Sequence, residues 1–274
     1  MKKINRILEI NRRIWITVLI AFAFMSTSSV IVENGTITSK IEEFKNKGVY
    51  QENFSNNYTK FYIVPRETSS PYESSFYISS DLRLLPGHSG DILTDRQSSF
   101  EQIPFVNEFV TSYIGGHSAI VLADYKDNKI SSDEGFFAES TGLNENNNEA
   151  QISLSGIRDI NGPRKETLGL RVNTSVEKRI TAANNVLSLV GNPYNYSFLL
   201  NTKRSNYCTD LIVKAYEKVD INLNYDYGPT TVLDLDMSKE TYIFYYKFRD
   251  SNNVTHVYYL DDLDNKQDIS GTIF

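Results

Sequence analysis

Cys208 is the residue of this chain whose type points most directly to nucleophilic chemistry. It is the only cysteine among 274 residues, so no disulfide can form within the chain. It lies in RSNYCTDLIVKAYEKV, residues 204–219, where apolar residues recur at helical spacing. Ser205 or Asn206 is a suitable helix cap, which places Cys208 in the first turn. The positive end of the helix dipole lowers the pKa of a thiol there, and the thiolate is the reactive form.

A buried, unreactive thiol is the alternative interpretation of Cys208. Free cysteine is among the most buried residue types and behaves as a small hydrophobe. The two interpretations are compatible, because one side of a first helical turn can contact the core while the sulfur faces a cleft. A thiolate nucleophile also requires a base, which a histidine commonly supplies.

Three histidines are candidates for that base: His88, His117 and His256. His88 lies in a Gly/Ser turn where nothing orients it. His256 lies among tyrosines in a terminal hairpin, where a packed or exposed strand position is favoured. His117 opens an apolar strand directly after Gly115 and Gly116, which permit a close backbone approach. A histidine at the end of a rigid strand is well placed to be held, so His117 is the predicted base.

Glu139 is the candidate for a third group, which would orient the base through its other ring nitrogen. Asp124 is excluded, because it lies seven residues from His117 on the same strand, about 23 Å away at roughly 3.3 Å per residue. If the KDNK hairpin is centred on Asn128, Glu139 lies opposite His117, and opposed residues share a face. The alternative is an ordinary strand-edge charge, because a slip of one residue turns the side chain away.

Short strands and two clear helices are the elements that position these residues. Strands are predicted over residues 91–94, 117–125, 135–140 and 151–157, and a hairpin over residues 241–260. Besides the Cys208 helix, a helix is predicted over residues 174–191, where Thr174 and Glu177 form a capping box. Gly191 ends this helix. Strands and helices do not alternate regularly, which indicates an α+β fold with a mostly antiparallel sheet packed against helices.

Residues 1–32 have the pattern of a signal peptide or a membrane anchor. A basic head, MKKINRILEINRR, precedes an uncharged stretch from Ile14 to Val32 that is 19 residues long. A basic head followed by a short apolar core is typical of an export signal, and 19 residues also span a bilayer if the segment is retained. Both alternatives place the rest of the chain outside the cytoplasm, either secreted or anchored.

The rest of the chain is predicted to hold a spacer with peripheral elements over residues 33–80 and a catalytic domain over residues 81–274. Without residues 1–32 the chain has 23 basic and 33 acidic residues, a net charge of −10. Such a surface repels phosphate backbones, so no nucleic-acid partner is expected. No cluster of metal ligands is visible in the sequence, so neither a metal nor another cofactor is expected.

Four segments carry a resemblance to a known family: SGDILTD, GGHSAIVLAD, FFAES and GNPYNYSFLLNTKRSNYCTDLIVKAY, within residues 81–220. Their order resembles the circularly permuted branch of the NlpC-type cysteine peptidases, the YiiX-like proteins, related to lecithin retinol acyltransferase-like enzymes. As in that branch, the histidine precedes the cysteine. The segment YCTDLIVKAY is similar to the family's YCSEL(V/I)xKAY box, although Thr209–Asp210 stands where Ser–Glu is common.

The resemblance implies a permuted papain-like fold and acyl-transfer chemistry. It implies that Cys208 is the nucleophile, His117 the base and Glu139 the third polar residue. Tyr194, in GNPYNY, is similar to a family tyrosine that helps to shape the oxyanion site. In the implied reaction the thiolate attacks an amide or ester carbonyl, and the helix N-terminus with Tyr194 stabilises the oxyanion.

Three functions agree with these residues. The first is an exported cysteine hydrolase that cleaves an amide bond, with cell-wall peptide as the expected substrate. The second keeps the fold but acts on a lipid, as an amidase or acyltransferase. The third is a binding module with an inactive site, attached to the membrane through residues 14–32, for which an inert Cys208 would be evidence. Fold alone does not choose between them.

Overall fold

The computed structural model describes residues 35–66, 77–78, 84–85, 87–96, 116–122, 137–141, 151–155, 165–195, 204–225 and 229–261. The predicted signal or anchor over residues 1–32 lies outside these residues. None of the helices in the described ranges is long and apolar enough to cross a membrane.

Eleven strands lie in the described ranges: β1, Val49–Tyr50; β2, Thr59–Val64; β3, Tyr77–Ile78; β4, Leu84–Leu85; β5, Ile92–Asp95; β6, His117–Val121; β7, Phe137–Thr141; β8, Gln151–Ser155; β9, Glu166–Val172; β10, Thr241–Arg249; β11, Thr255–Leu260. Nine of them form one sheet in the order β1-β2-β11-β10-β9-β5-β6-β7-β8, and β3 pairs with β4 separately. Every neighbouring pair in the large sheet is antiparallel except β2 and β11, which run parallel.

Four α-helices occur in the same ranges: α1, residues 35–46; α2, Val176–Leu187; α3, Cys208–Glu217; α4, Val232–Met237. Together with the sheet they make an α+β fold, as predicted. The capping box predicted at Thr174 and Glu177 is wrong by one residue. The Ser175 hydroxyl caps α2 instead and accepts the Lys178 N–H at 3.3 Å.

The main core lies between the helices and one face of the sheet. Helix α3 buries Leu211, Ile212 and Ala215 at helical spacing, and these side chains pack with Ile120 of β6 and Ala138 of β7. Each fully buried leucine or isoleucine side chain contributes about 1.5–3 kcal/mol. The helix that begins at Cys208 is therefore pressed onto the two strands that carry His117 and Glu139.

Residues 35–64 lie in the segment predicted as a spacer with peripheral elements, residues 33–80, and they pack against the rest of the fold. Helix α1 buries Ile37, Ile41 and Phe44 in the main core. Strand β2 extends the sheet by pairing with β11, and Phe61 is fully buried in a second cluster on the other sheet face. The peripheral elements predicted here therefore contribute apolar side chains to the core.

Strand β9, at the centre of the sheet, is absent from the sequence-based prediction because a glycine and an arginine interrupt its apolar pattern. Both have structural reasons. A Cβ on Gly169 would lie 2.7 Å from the Tyr245 Cβ, so only glycine permits this packing. Arg171 is fully buried and its Nε and Nη2 donate to Asp91 at 2.8 and 2.5 Å.

Asp91 is the centre of a buried ion cluster that joins a turn, β9 and α2. Besides its two bonds from Arg171, its carboxylate accepts from Arg179 Nη1 at 3.3 Å and from the His88 N–H at 2.7 Å. Burial raises the pKa of Asp91, but the charge and hydrogen bonds of Arg171 outweigh burial and hold that pKa below its usual value. Two buried guanidinium groups therefore depend on one carboxylate.

Replacing Asp91 with asparagine is expected to lower the free energy of unfolding by about 3–5 kcal/mol, because two buried cations lose their counter-charge. Urea unfolding followed by circular dichroism measures this change. The matched control is Glu43→Gln, which breaks the exposed 2.8 Å pair of Glu43 with Lys47 and is expected to leave unfolding nearly unchanged. Equal unfolding midpoints for the two variants would contradict the structural role of Asp91.

Candidate active site

The nucleophile candidate, Cys208, is the first residue of helix α3 and is 7% exposed. Its place in the first turn agrees with the prediction, but the predicted cap does not. Tyr207 occupies the N-cap position and makes no side-chain cap bond. The carboxamide oxygen of Asn206 accepts from Lys214 Nζ at 3.0 Å instead of from a backbone N–H. The first N–H groups of α3 thus have no side-chain cap from Tyr207 and no helical partner.

His117 is the first residue of β6, and the backbone before it requires glycine. Gly116 has a φ of +76°, and a Cβ on it would lie 1.6 Å from the Asp95 carbonyl oxygen. No other residue fits such a close approach. The register pairs His117 directly with Asp95 of β5, so the predicted role of the glycines is realised at Gly116.

Glu139 lies on β7, and its Oε2 contacts His117 Nε2 in a very short hydrogen bond. The predicted register is wrong by two residues, because Glu139 pairs with Ala119 and not with His117. A shift of two residues keeps a side chain on the same face of the sheet, whereas a shift of one reverses it. The contact between Glu139 and His117 therefore survives the error as a diagonal pair.

Strands β6 and β7 separate next to Cys208, the candidate nucleophile. In the described residues the β6–β7 ladder ends at the Ala119–Glu139 pair, although β6 begins at His117. The Val121 N–H donates toward β5, to the Asp91 carbonyl. Because successive N–H groups alternate sides, the Ser118 N–H points toward the β7 side. With no strand partner there, it bonds the Cys208 sulfur.

The electrostatics of the site favour a thiolate and an imidazolium. Burial raises the pKa of the Cys208 thiol, but the hydrogen bond and charge of His117, with the backbone N–H of Ser118, lower it overall. Burial lowers the pKa of His117, yet bonds to Cys208 and Glu139 and their negative charges raise it to about 9. Since Nε2 of His117 bonds Glu139, Nδ1 remains for the thiol.

Tyr194, the fourth predicted site residue, reaches the site through its backbone. It forms an isolated parallel bridge with Asn206, two residues before Cys208. The Asn195 N–H donates to the Asn206 carbonyl at 3.2 Å, and the Asn206 N–H donates to the Pro193 carbonyl at 3.3 Å. The Tyr194 segment is therefore held beside the start of α3, and its hydroxyl role stays a prediction.

The other two histidines lie in different surroundings. His256 stacks on Phe248 at 4.8 Å, and its ring nitrogens bond Tyr62 at 3.3 Å and Asp250 at 3.2 Å. His88 lies in the turn that Asp91 closes, because the Asp91 N–H donates to the His88 carbonyl at 2.8 Å. In the described part of the chain no group of three or more His, Cys, Asp or Glu side chains is arranged to hold a metal ion.

Two features of the site were not predicted from the sequence: the Ser118 N–H and the position of Asn206. The first depends on where a ladder ends, which residue types do not encode. The sequence did contain an indication of the second, the contact between Asn206 and Lys214, because these residues are eight apart in the segment that also holds Cys208. Two residues eight apart lie about two helical turns from each other, within reach of a lysine side chain.

A cysteine at a helix start and a His–Glu pair on adjacent strands are the arrangement expected of a papain-like thiol site. The chain belongs to the permuted papain-like amidase family, the YaeF/YiiX or C92 family, whose model matches residues 88–258. The resemblance to the YiiX-like proteins drawn from the sequence is thereby confirmed. No curated protein matches the chain. It is similar to the crystal structure of metalloprotein yiiX from Escherichia coli O157:H7, with a TM-score of 0.42 and 13% identity over 57% of this chain and 95% of that one.

Proposed function

We propose that this chain is an extracytoplasmic cysteine hydrolase that cleaves an amide bond in cell-wall peptide. The observation that carries the proposal is the unbroken series of contacts from Glu139 through His117 to the Cys208 sulfur at the start of α3. Membership of a permuted papain-like amidase family supports amide chemistry. A cysteine that served only as packing would not need the base and the carboxylate.

The first step of the proposed reaction is attack by the Cys208 thiolate on the substrate carbonyl carbon. The imidazolium of His117 then gives its proton to the leaving amine nitrogen as the C–N bond breaks, which leaves a thioester on Cys208. Neutral His117 next takes a proton from water, whose oxygen attacks the thioester. The C–S bond breaks, the acid product leaves, and thiolate and imidazolium are restored.

The oxyanion formed in each step requires hydrogen-bond donors. The backbone N–H groups of the first turn of α3 have no helical acceptors, and the positive end of the helix dipole lies there. Tyr194, held beside Asn206 by its backbone bridge, is the proposed side-chain donor. Removing one such donor typically costs about 100-fold to 1000-fold in rate.

Glu139 keeps the imidazole oriented throughout this cycle. Its carboxylate bonds Nε2 of His117 and contributes to the raised pKa of the ring. A fixed ring presents Nδ1 to the sulfur in the first step and to water in the second. The side chain of Glu139 is 10% exposed, so little water competes for the bond.

The substrate and location rest on the sequence. The basic head and the uncharged stretch over residues 14–32 support export or membrane attachment. A net charge of −10 without residues 1–32 disfavours nucleic acid. The lipid alternative draws on the aromatic residues of the terminal hairpin, but Phe244, Tyr245 and Tyr259 are buried in a core cluster, which favours peptide as the first substrate to test.

A substrate panel tests the proposal. The full chain is incubated with cell-wall stem peptides, with an N-acyl amide lipid and with a phospholipid ester, and released amines and acids are quantified by mass spectrometry. Cleavage of peptide by the wild type and not by Cys208→Ala is the expected result. Turnover of only the lipids would contradict the peptide substrate and support the lipid amidase or acyltransferase alternative.

A further inference from the structure

Asn206 is a buried junction close to the nucleophile. It lies two residues before Cys208 and is 1% exposed. Its carbonyl oxygen accepts from Ser140 Oγ at 2.6 Å and from the Asn195 N–H at 3.2 Å. Its own N–H donates to the Pro193 carbonyl at 3.3 Å. The backbone of one residue is thereby tied to two other segments of the fold.

The side chain of Asn206 forms a further hydrogen bond, to helix α3 itself. Its carboxamide oxygen accepts from Lys214 Nζ at 3.0 Å, and the same ammonium donates to Asp210 at 2.6 Å. An ammonium group only donates, so the amide atom that faces it must be the oxygen. The orientation of the carboxamide is therefore determined by chemistry. Lys214 and Asp210 lie on α3, whose first residue is Cys208.

The segments that meet at Asn206 are those that carry the site. Ser140 directly follows Glu139 on β7, and Tyr194 lies between Pro193 and Asn195. The third partner, Lys214, is on the helix of Cys208. A displacement of Asn206 would shift these three site segments relative to one another. A misplacement of about 1 Å in a catalytic group can cost on the order of 100-fold in rate.

We propose that Asn206 is a positioning residue that holds the start of α3 in register with β7 and the Tyr194 segment. The inference deepens the proposed function and rests on it, because the geometry matters for a reactive thiol. It acts through Cys208 and His117: the sulfur must stay within reach of Nδ1 and of the Ser118 N–H for the thiolate to be stabilised.

The test compares the pH dependence of Cys208 alkylation by iodoacetamide in the full-length wild type, Asn206→Ala and Ser140→Ala. Neither substitution changes a charge, so a shift reports geometry. Both variants are expected to alkylate roughly fivefold more slowly at pH 7, with the midpoint moved toward that of a free thiol, about 8.5. Ser140→Ala removes one hydrogen bond and carries the test by itself if Asn206→Ala does not fold.

Asn185→Ala is the matched control. The Asn185 Nδ2 donates to the Ala215 carbonyl at 3.3 Å. The variant therefore also loses a side-chain hydrogen bond to α3, but near the other end of that helix. The control is expected to keep the wild-type profile. Profiles of Asn206→Ala and Ser140→Ala that coincide with the control would overturn the inference. A wild-type thiol that is inert when folded would instead contradict the proposed function before any variant is compared.

Discussion

Replacement of Cys208 by alanine is expected to abolish amide cleavage while the protein stays folded. The sulfur is the only atom of the site that forms a covalent bond to the acyl group in the proposed reaction, and no other residue can replace it. Loss of a nucleophile from an enzyme of this kind lowers the turnover number by on the order of 10⁴-fold or more. Product release from a cleaved peptide, measured by mass spectrometry, reports the loss.

A folded variant is essential to that experiment. Alanine is slightly smaller than cysteine at a position that is 7% exposed, so only a small cavity cost is expected. Circular dichroism and thermal unfolding should therefore match the wild type closely. Cleavage by Cys208→Ala at more than a small fraction of the wild-type rate would show that the reaction does not pass through this sulfur.

Replacement of His117 by alanine is expected to slow alkylation of Cys208 at pH 7 by at least about tenfold. Burial raises the pKa of this thiol, and the hydrogen bond and charge of His117 are the main influences that lower it. Without the imidazolium the buried sulfur stays protonated at neutral pH, and a protonated thiol is a poor nucleophile. The rate of iodoacetamide reaction between pH 5 and 10 measures the change.

His256→Ala is the control for that substitution. His256 is another part-buried histidine with a carboxylate partner, Asp250 at 3.2 Å, but it lies on β11 and packs against Phe248. Its removal should leave the alkylation profile of Cys208 unchanged. If His117→Ala and His256→Ala gave the same profile, His117 would not be coupled to the thiol.

The raised pKa of His117 also has a consequence for stability. A group whose pKa is higher in the folded state stabilises the fold below its unfolded pKa of about 6.5 and loses that effect as the pH rises. With a folded pKa of about 9 for His117, this contribution declines between about pH 6.5 and 9. The lowered pKa of Cys208 acts in the opposite sense, and its contribution is lost as the pH falls.

Residue chemistry and the resemblance singled out Cys208, His117 and Glu139, which the structure brings into contact, because only a few residue types supply a nucleophile and a base. Their arrangement depended on the register between β6 and β7. The hairpin centre at Asn128 placed Glu139 opposite His117, whereas the ladder pairs Glu139 with Ala119. The face was right because an even shift preserves it. The residue types between β6 and β7 do not determine where the hairpin is centred, so they do not give the register itself.

The parts of the fold that escaped prediction are those where tertiary contacts override local pattern. Strand β9 contains Gly169 and the buried Arg171, two residue types that are unfavourable in a central strand. Here Tyr245 packs against Gly169 and Asp91 pairs with Arg171, which makes both residues suitable. Helix α1 and strand β2 lie in the segment where peripheral elements were predicted, but the burial of Ile37, Ile41 and Phe61 in the core depends on tertiary contacts. The local sequence of β9 gives no indication that Tyr245 and Asp91 lie against it.

The reactivity of Cys208 is tested most directly by the pH dependence of its alkylation in the wild-type protein, native and unfolded. The native thiol is expected to react well below the free-thiol pKa of about 8.5, because His117 and the Ser118 N–H stabilise the thiolate. The unfolded chain should titrate near 8.5. A native thiol that reacts only after unfolding, or that titrates at or above 8.5, would contradict the proposed nucleophile.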